Sequence, residues 1–247
     1  MALITQVDFQ KRLNRRKWRG RAFHGVCLLA VLVTLGMLAV LLIYIGIKGI
    51  TRVDWGFLTG FPSRHADQAG IRAALLGSIY IVAIAGLVSF VLGVATAIYL
   101  EEYGARNRLA RIVRINIANL AGVPSIVYGI LGLEIFVRSL QLGKSVLAGG
   151  LTLGILILPI IIIAAGEAIR AVPPSIREGA FGLGATRWQA IWHLVLPQAL
   201  PGIMTGVILA LSRAIGETAP LIAMGALTFV PFAPDGILSP FTALPIQ

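Results

Sequence analysis

Long apolar runs alternate along the chain with short polar or basic breaks. Five runs reach the length of about 20 residues that a hydrocarbon core requires: about 23–47, 74–100, 112–137, 146–169 and 198–224. The pattern predicts an all-α polytopic membrane protein. Residues 1–22 form a basic arm before the first run, 173–197 a charged amphipathic loop, and 225–247 a Pro- and Phe-rich loop. The first run is too long for a signal-peptide core and no small-residue cleavage site ends it, so it is read as a span.

Composition agrees. Hydrophobic residues make up 57% of the 247 and charged residues 13%, about half the charged share of a soluble domain; mean hydropathy is +0.90. The single cysteine, Cys27, excludes an internal disulfide, and the scattered His24, His65 and His193 read as interfacial polar residues. The net charge of +11 does not point to nucleic acid, because the basic residues concentrate on one side of the membrane. With a cytoplasmic N-terminus, inner segments hold Lys11, Arg12, Arg15, Arg16, Lys17, Arg19 and Arg21, then Arg106, Arg108, Arg111 and Arg114, then Arg170, Arg177 and Arg187. Outer segments hold Lys48, Arg52, Arg64, Arg72, Arg138 and Lys144. The asymmetry follows the positive-inside rule.

Between the fourth and fifth runs the chain reads SIREGAFGLGATRWQAIWHLVLPQALPG. Pro173 and Pro174 stop the preceding helix. Ser175 with Glu178 is a capping-box pattern, Gly182 and Gly184 break the turn, Thr186 can cap the next helix, and Pro197 precedes the fifth span. The expectation is two short helices joined by a glycine turn along the membrane face, with Ile191, Trp192 and Leu194 dipping into headgroups. The spacing of Glu178-Gly179-Ala180, Gly184, Leu194 and Leu196-Pro197 resembles the EAA loop of ABC importer permeases. Gly179 and Leu194 depart from that pattern, and Gly179 loosens the first helix by roughly 0.5–1 kcal/mol against Ala. The resemblance implies that this loop is the coupling helix that docks on a cytoplasmic ATPase. The chain lacks a phosphate-cradling loop of its own: Gly143-Lys144-Ser145 is the only fragment, and Arg138 stands where the upstream glycine belongs.

The fifth run carries two charges, Arg213 and Glu217. On a helical wheel, Gly202, Gly206, Ala210, Arg213, Glu217 and Pro220 share one face, with Ile208, Leu211 and Ile215 roughly opposite. Gly202 and Gly206 permit close helix contact. Arg213 lies about 16 Å beyond Gly202, near mid-bilayer, where each charge costs about 2.5–3.5 kcal/mol. Two readings stand: a structural ion pair, or an anion site in which the guanidinium fork binds oxyanion oxygens. Pro124 is a hinge or a static kink in the third span. Glu134 near the end of that span is an interfacial or a pathway residue.

SRAIGETAPL, the Pro-Gly-Ile-x-Thr-Gly lead-in at 201–206, IYLEEYG at 98–104, AGVPSIVYGILGL at 121–133 and PFTALPIQ at 240–247 are similar to phosphate permeases of the PstA type. The resemblance implies a type I ABC importer permease in the bacterial inner membrane, with five of an expected six spans and a groove where the sixth would pack. It implies that Arg213 and Glu217 line the phosphate path. Some relatives carry an arginine late in span four; here Ile160–Ile163 stand there, leaving more of the task to Arg213 and to the partner. The implied partners are a second permease of the PstC type, two ATPase subunits of the PstB type that bind ATP and Mg, a phosphate-binding protein of the PstS type, and lipid. The chain itself is expected to be non-catalytic, without a cofactor or metal of its own. A permease for sulfate or molybdate, and a non-transporting scaffold or sensor, are the alternatives.

Overall fold

The apolar runs fold as helices, and among the described residues no sheet forms. The computed structural model describes residues 2–50, 53–63, 65, 69–104, 107–226 and 229–247, with side chains from Arg16 onward. Arg52, Arg64, Arg106 and the side chains of Lys11, Arg12 and Arg15 therefore lie outside the described residues.

Residues 1–55 and 56–247 form two compact units. The first is one helix, α1 (Ala2–Gly49). The basic arm continues into the first apolar run without a break, since Lys, Arg, Gln and Leu are all good helix formers. From Arg16 onward its side chains are largely exposed, apolar ones included, as suits a helix whose solvent is lipid.

A short turn of helix, α2 (Trp55–Thr59), starts at the last residue of the first unit, and the second unit continues with α3 (Arg72–Ile98), which runs on through a π-helical turn at Tyr99–Tyr103. Then come α4 (Arg108–Leu120), α5 (Ser125–Gly132) with a π-helical extension over Leu133–Ser139, and α6 (Val146–Arg170). At one end of the bundle lie α7 (Pro174–Gly182) and α8 (Arg187–Ala190). A π-helical turn at Ile191–Val195 joins α8 to α9 (Leu196–Gly216), and α10 (Ala219–Ala223) follows.

Helix α6 is the centre of the unit. Small residues let its neighbours come close. Gly150 abuts Ile84 and Gly93 of α3 abuts Ile161, so α3 and α6 run parallel. Ser89 donates to the Gly154 carbonyl at 2.8 Å within that contact. Gly202 abuts Ala168 and Gly206 abuts Ala164, so α9 runs antiparallel to α6. The glycine pair expected to mediate close packing does so, with two alanines as its counterpart. Ile81, Leu153, Ile157, Ile161 and Ile203 fill the core between these helices.

Two expected spans are not continuous helices. Over 112–137 the chain forms two helices, α4 and α5, bent by 105°. Pro124 is the residue before α5 rather than a kink inside one helix; its ring and the preceding Gly122 end one helix and start the next. Over 198–224 the helix ends at Gly216, and Glu217 is extended at φ −77°, ψ 115°. In the opposite sense, Pro197 does not follow a break: it lies in the first turn of α9 within an unbroken helical run from Arg187 to Gly216.

The Pro- and Phe-rich C-terminal stretch is packed rather than loose. Phe241 is fully buried against Gly149, and the Thr242 carbonyl approaches Gly77. The amides of Val146 and Leu147, which α6 cannot satisfy itself, donate to the Ser239 and Ile237 carbonyls.

Candidate functional site

The register of α9 on α6 fixes the depth of Arg213. Contacts pair Gly202 with Ala168 and Gly206 with Ala164. Continuing that antiparallel register brings Arg213 about level with Ile157, near the middle of the 25-residue α6. On α9 the buried positions are Ala199, Ile203, Gly206, Val207, Ala210 and Ala214. Arg213 stands at the border of this packed face, with its side chain 48% exposed.

Glu217 does not share the α9 wheel, because it lies past the helix end. It still meets Arg213: Nε donates to Glu217 Oε1 at 3.1 Å, and the carboxylate side is only 16% exposed. Gly216 supplies the stop, and Pro220 in α10 follows. Thr218 Oγ1 donates to the Pro245 carbonyl at 3.1 Å, tying the break to the C-terminal stretch. Helix α10 packs on α5, where Gly129 abuts Pro220 and Ala223. Tyr128 of α5 donates to the Leu120 carbonyl at 2.8 Å, back across the Pro124 break. The two interrupted helices thus meet beside the arginine. Transporter sites recur at such breaks, where backbone groups are free of their helices. Glu134 forms an exposed ion pair with Arg138 at 3.0 Å.

The loop after α6 forms two short helices and a glycine turn. Its caps differ from those expected. Pro173 precedes α7 and no side chain caps it, so Ser175 and Glu178 form no capping box. The box is made by Thr186 and Gln189 at the start of α8. Gly184 has φ +81°, a conformation costly for any residue with a Cβ. Ala180 faces inward, while Glu178, Gly179, Gly182 and Gly184 face out. Leu183 is 92% exposed at the tip, beside half-exposed Phe181. Leu196 is half-buried and Pro197 exposed. Ile191 turns into the core at 2% exposure rather than toward headgroups, whereas Trp192 and Leu194 remain exposed. Trp188 and Trp192 stack at 5.6 Å.

Beside this loop is a cluster absent from the sequence expectations. Glu101 and Glu102 lie on the π-helical turn after α3. Glu101 binds Arg114 of α4 and Arg170 of α6, each at 2.9 Å. Glu102 binds Arg177 of α7 at 2.8 Å. The doubled acidic residue in IYLEEYG was the available signal, but its partners lie far along the chain. Among the described residues no three His, Cys, Asp or Glu side chains gather around a metal position.

The family described as a binding-protein-dependent transport system inner membrane component matches residues 89–235, which include α6, both short loop helices and α9. The chain belongs to this family. Among its relatives is the probable ABC transporter permease protein YqgI of Bacillus subtilis (strain 168), 34% identical over 213 residues, covering 86% of this chain and 72% of that protein. The phosphate transport system permease protein PstA 1 of Mycobacterium tuberculosis (strain ATCC 25618 / H37Rv) is 34% identical over 227 residues, with coverages of 90% and 73%. PstA of Haemophilus influenzae is 34% identical over 215 residues, with coverages of 85% and 74%. The fold is that of a solved importer, the MetNI methionine ABC transporter in inward-facing conformations, at a TM-score of 0.53 and 22% identity over 61% of this chain and 71% of that one. This permease is a multi-pass inner-membrane subunit of a type I ABC importer. It is a non-catalytic transmembrane component, and its family works with a second permease, an ATPase and a binding protein.

Proposed function

We propose that this permease passes inorganic phosphate inward across the bacterial cytoplasmic membrane, with its N-terminus on the cytoplasmic side. The observation that carries the reading is Arg213 at mid-depth, half-exposed at the border of the packed face and held by Glu217. Relatives over most of the chain bear the name phosphate permease, and a guanidinium fork suits a tetrahedral oxyanion. Arg213 compensates the anion transiently. Glu217 holds Arg213 when the path is empty or accepts from a protonated phosphate oxygen. Binding must stay weak, since a tight site would not release its ion.

The partners in this reading are a PstC-type permease, two PstB-type ATPases that bind ATP and Mg, and a PstS-type binding protein. The EAA loop docks on an ATPase through outward-facing Glu178, Phe181 and Leu183, with Gly179, Ala180 and Gly184 shaping it. Leu196 and Pro197 carry it into α9 without a break. Closure of the ATPases around ATP moves the loops together and rocks the spans. The breaks at Pro124 and Glu217 provide the points of flexure.

The test is labelled-anion uptake in the assembled complex with Arg213→Gln. The expected result is loss of phosphate uptake with assembly retained. Normal uptake overturns the path role, and wild-type uptake of sulfate or molybdate in place of phosphate assigns a different oxyanion.

A further inference from the structure

Arg177 is the most heavily bonded side chain of the coupling loop. Its Nε and Nη2 both donate to Glu102 Oε1, at 3.0 and 2.8 Å. Nη1 donates to the Val172 carbonyl in the turn after α6 at 2.8 Å, and Nη2 also to the Ile169 carbonyl in the last turn of α6 at 2.9 Å. The pair is shielded, with side-chain exposures of 20% for Arg177 and 9% for Glu102. The backbone carbonyl of Glu102 accepts from Arg187 Nη1 of α8 at 3.1 Å, and that guanidinium lies over the Tyr103 ring at 5.4 Å. Glu101, the preceding residue, ties the same turn to α4 and α6.

We propose that Glu102 and Arg177 form a strut that carries displacement of the coupling loop into α3 and α6. The loop then acts on α3 as well as on α6 and α9, to which it is joined directly in sequence. The proposal rests on the reading of this chain as an ATP-coupled permease. The physical reason lies in what else holds α7. It joins α6 through the turn at Ala171–Pro173 and α8 through the glycine turn at Gly184, and within it only Ala180 is buried. Turns of that kind flex. A guanidinium with three acceptors in fixed directions does not. Glu178, one residue along on the same helix, faces outward, so α7 presents one charge to a partner and anchors itself with the next. Arg177 and Glu102 are positioning residues: they touch neither anion nor nucleotide.

The test reconstitutes the whole complex in vesicles and measures phosphate entry and ATP hydrolysis together, with sulfate and molybdate in parallel. Glu102→Gln removes the charge and keeps the shape. Arg177→Lys keeps the charge but loses the fork. Both variants are expected to retain the ATPase subunit and to hydrolyse ATP, while anion moved per ATP falls severalfold. An unchanged ratio in both variants overturns the strut. So does a loss of assembled complex with a wild-type ratio in what remains, which assigns the pair to folding alone. A wild-type complex that hydrolyses ATP and moves none of the three anions instead overturns the functional reading on which the strut rests.

Discussion

Arg213 reaches Glu217 across the end of a helix, not along it. The Nε–Oε1 distance of 3.1 Å is that of an i, i+4 helical pair, yet Glu217 has extended backbone after Gly216. The pair therefore depends on where the break places Glu217, and Arg213 is free to leave it without disturbing α9.

That freedom separates the two readings of the pair. Arg213→Gln, Glu217→Gln and the double variant form a cycle for stability of the detergent-solubilised protein. If the pair lines a hydrated path, with Arg213 48% and Glu217 16% exposed, the coupling energy should stay within about 1 kcal/mol, and Glu217→Gln alone should reduce uptake without loss of protein. A coupling near 3–5 kcal/mol, as when a buried pair is broken, would make the pair structural and remove it from the path.

The contact of α9 with α6 yields a graded prediction. A Cβ on Gly206 would stand 2.4 Å from the Ala164 Cβ, and one on Gly202 2.9 Å from that of Ala168. Overpacking costs about 1–3 kcal/mol. Gly206→Ala should lower the thermal midpoint more than Gly202→Ala, and Ala164→Gly should restore part of the loss in the Gly206 variant. Equal midpoints for all would mean that the helices separate at no cost.

Much of this architecture is legible in the sequence. Hydropathy located the runs, and Gly202-x-x-x-Gly206 named the tight contact of α9. The loop spacing anticipated α7, the turn at Gly184 and α8. The two breaks were less visible, although Gly122 with Pro124 and Gly216 with Pro220 are helix-stop signals. Averaging hydropathy over a span gives such signals little weight, because the residues on either side are equally apolar. Ser175 and Glu178 carry the capping-box pattern, yet Pro174 already opens the helix one residue earlier. Thr186 with Gln189 satisfied the same rule at the next start. The ion pairs of Glu101 and Glu102 were out of reach, since Arg170 and Arg177 lie 69 and 75 residues away and no periodicity connects them.

Gly179 and Gly184 of the EAA loop should respond in opposite ways. Gly179 lies inside α7 with nothing within 4 Å of an added Cβ, so Gly179→Ala should stabilise that helix by about 0.5–1 kcal/mol. Gly184 also has open space around it, but its φ of +81° places a side chain in the left-handed region, at about 1–2 kcal/mol. Any effect of Gly184→Val therefore acts through the backbone of the turn and not through a clash. The turn sets the angle between α7 and α8, and α8 runs unbroken into α9. Gly184→Val should lower both recovery of the ATPase with the permease and anion uptake, whereas Gly179→Ala should preserve both. Thr186→Ala, which removes the cap of α8 at about 1 kcal/mol, should fall between them. If Gly184→Val and Gly179→Ala gave equal recovery and uptake, the geometry of the turn would have no part in docking.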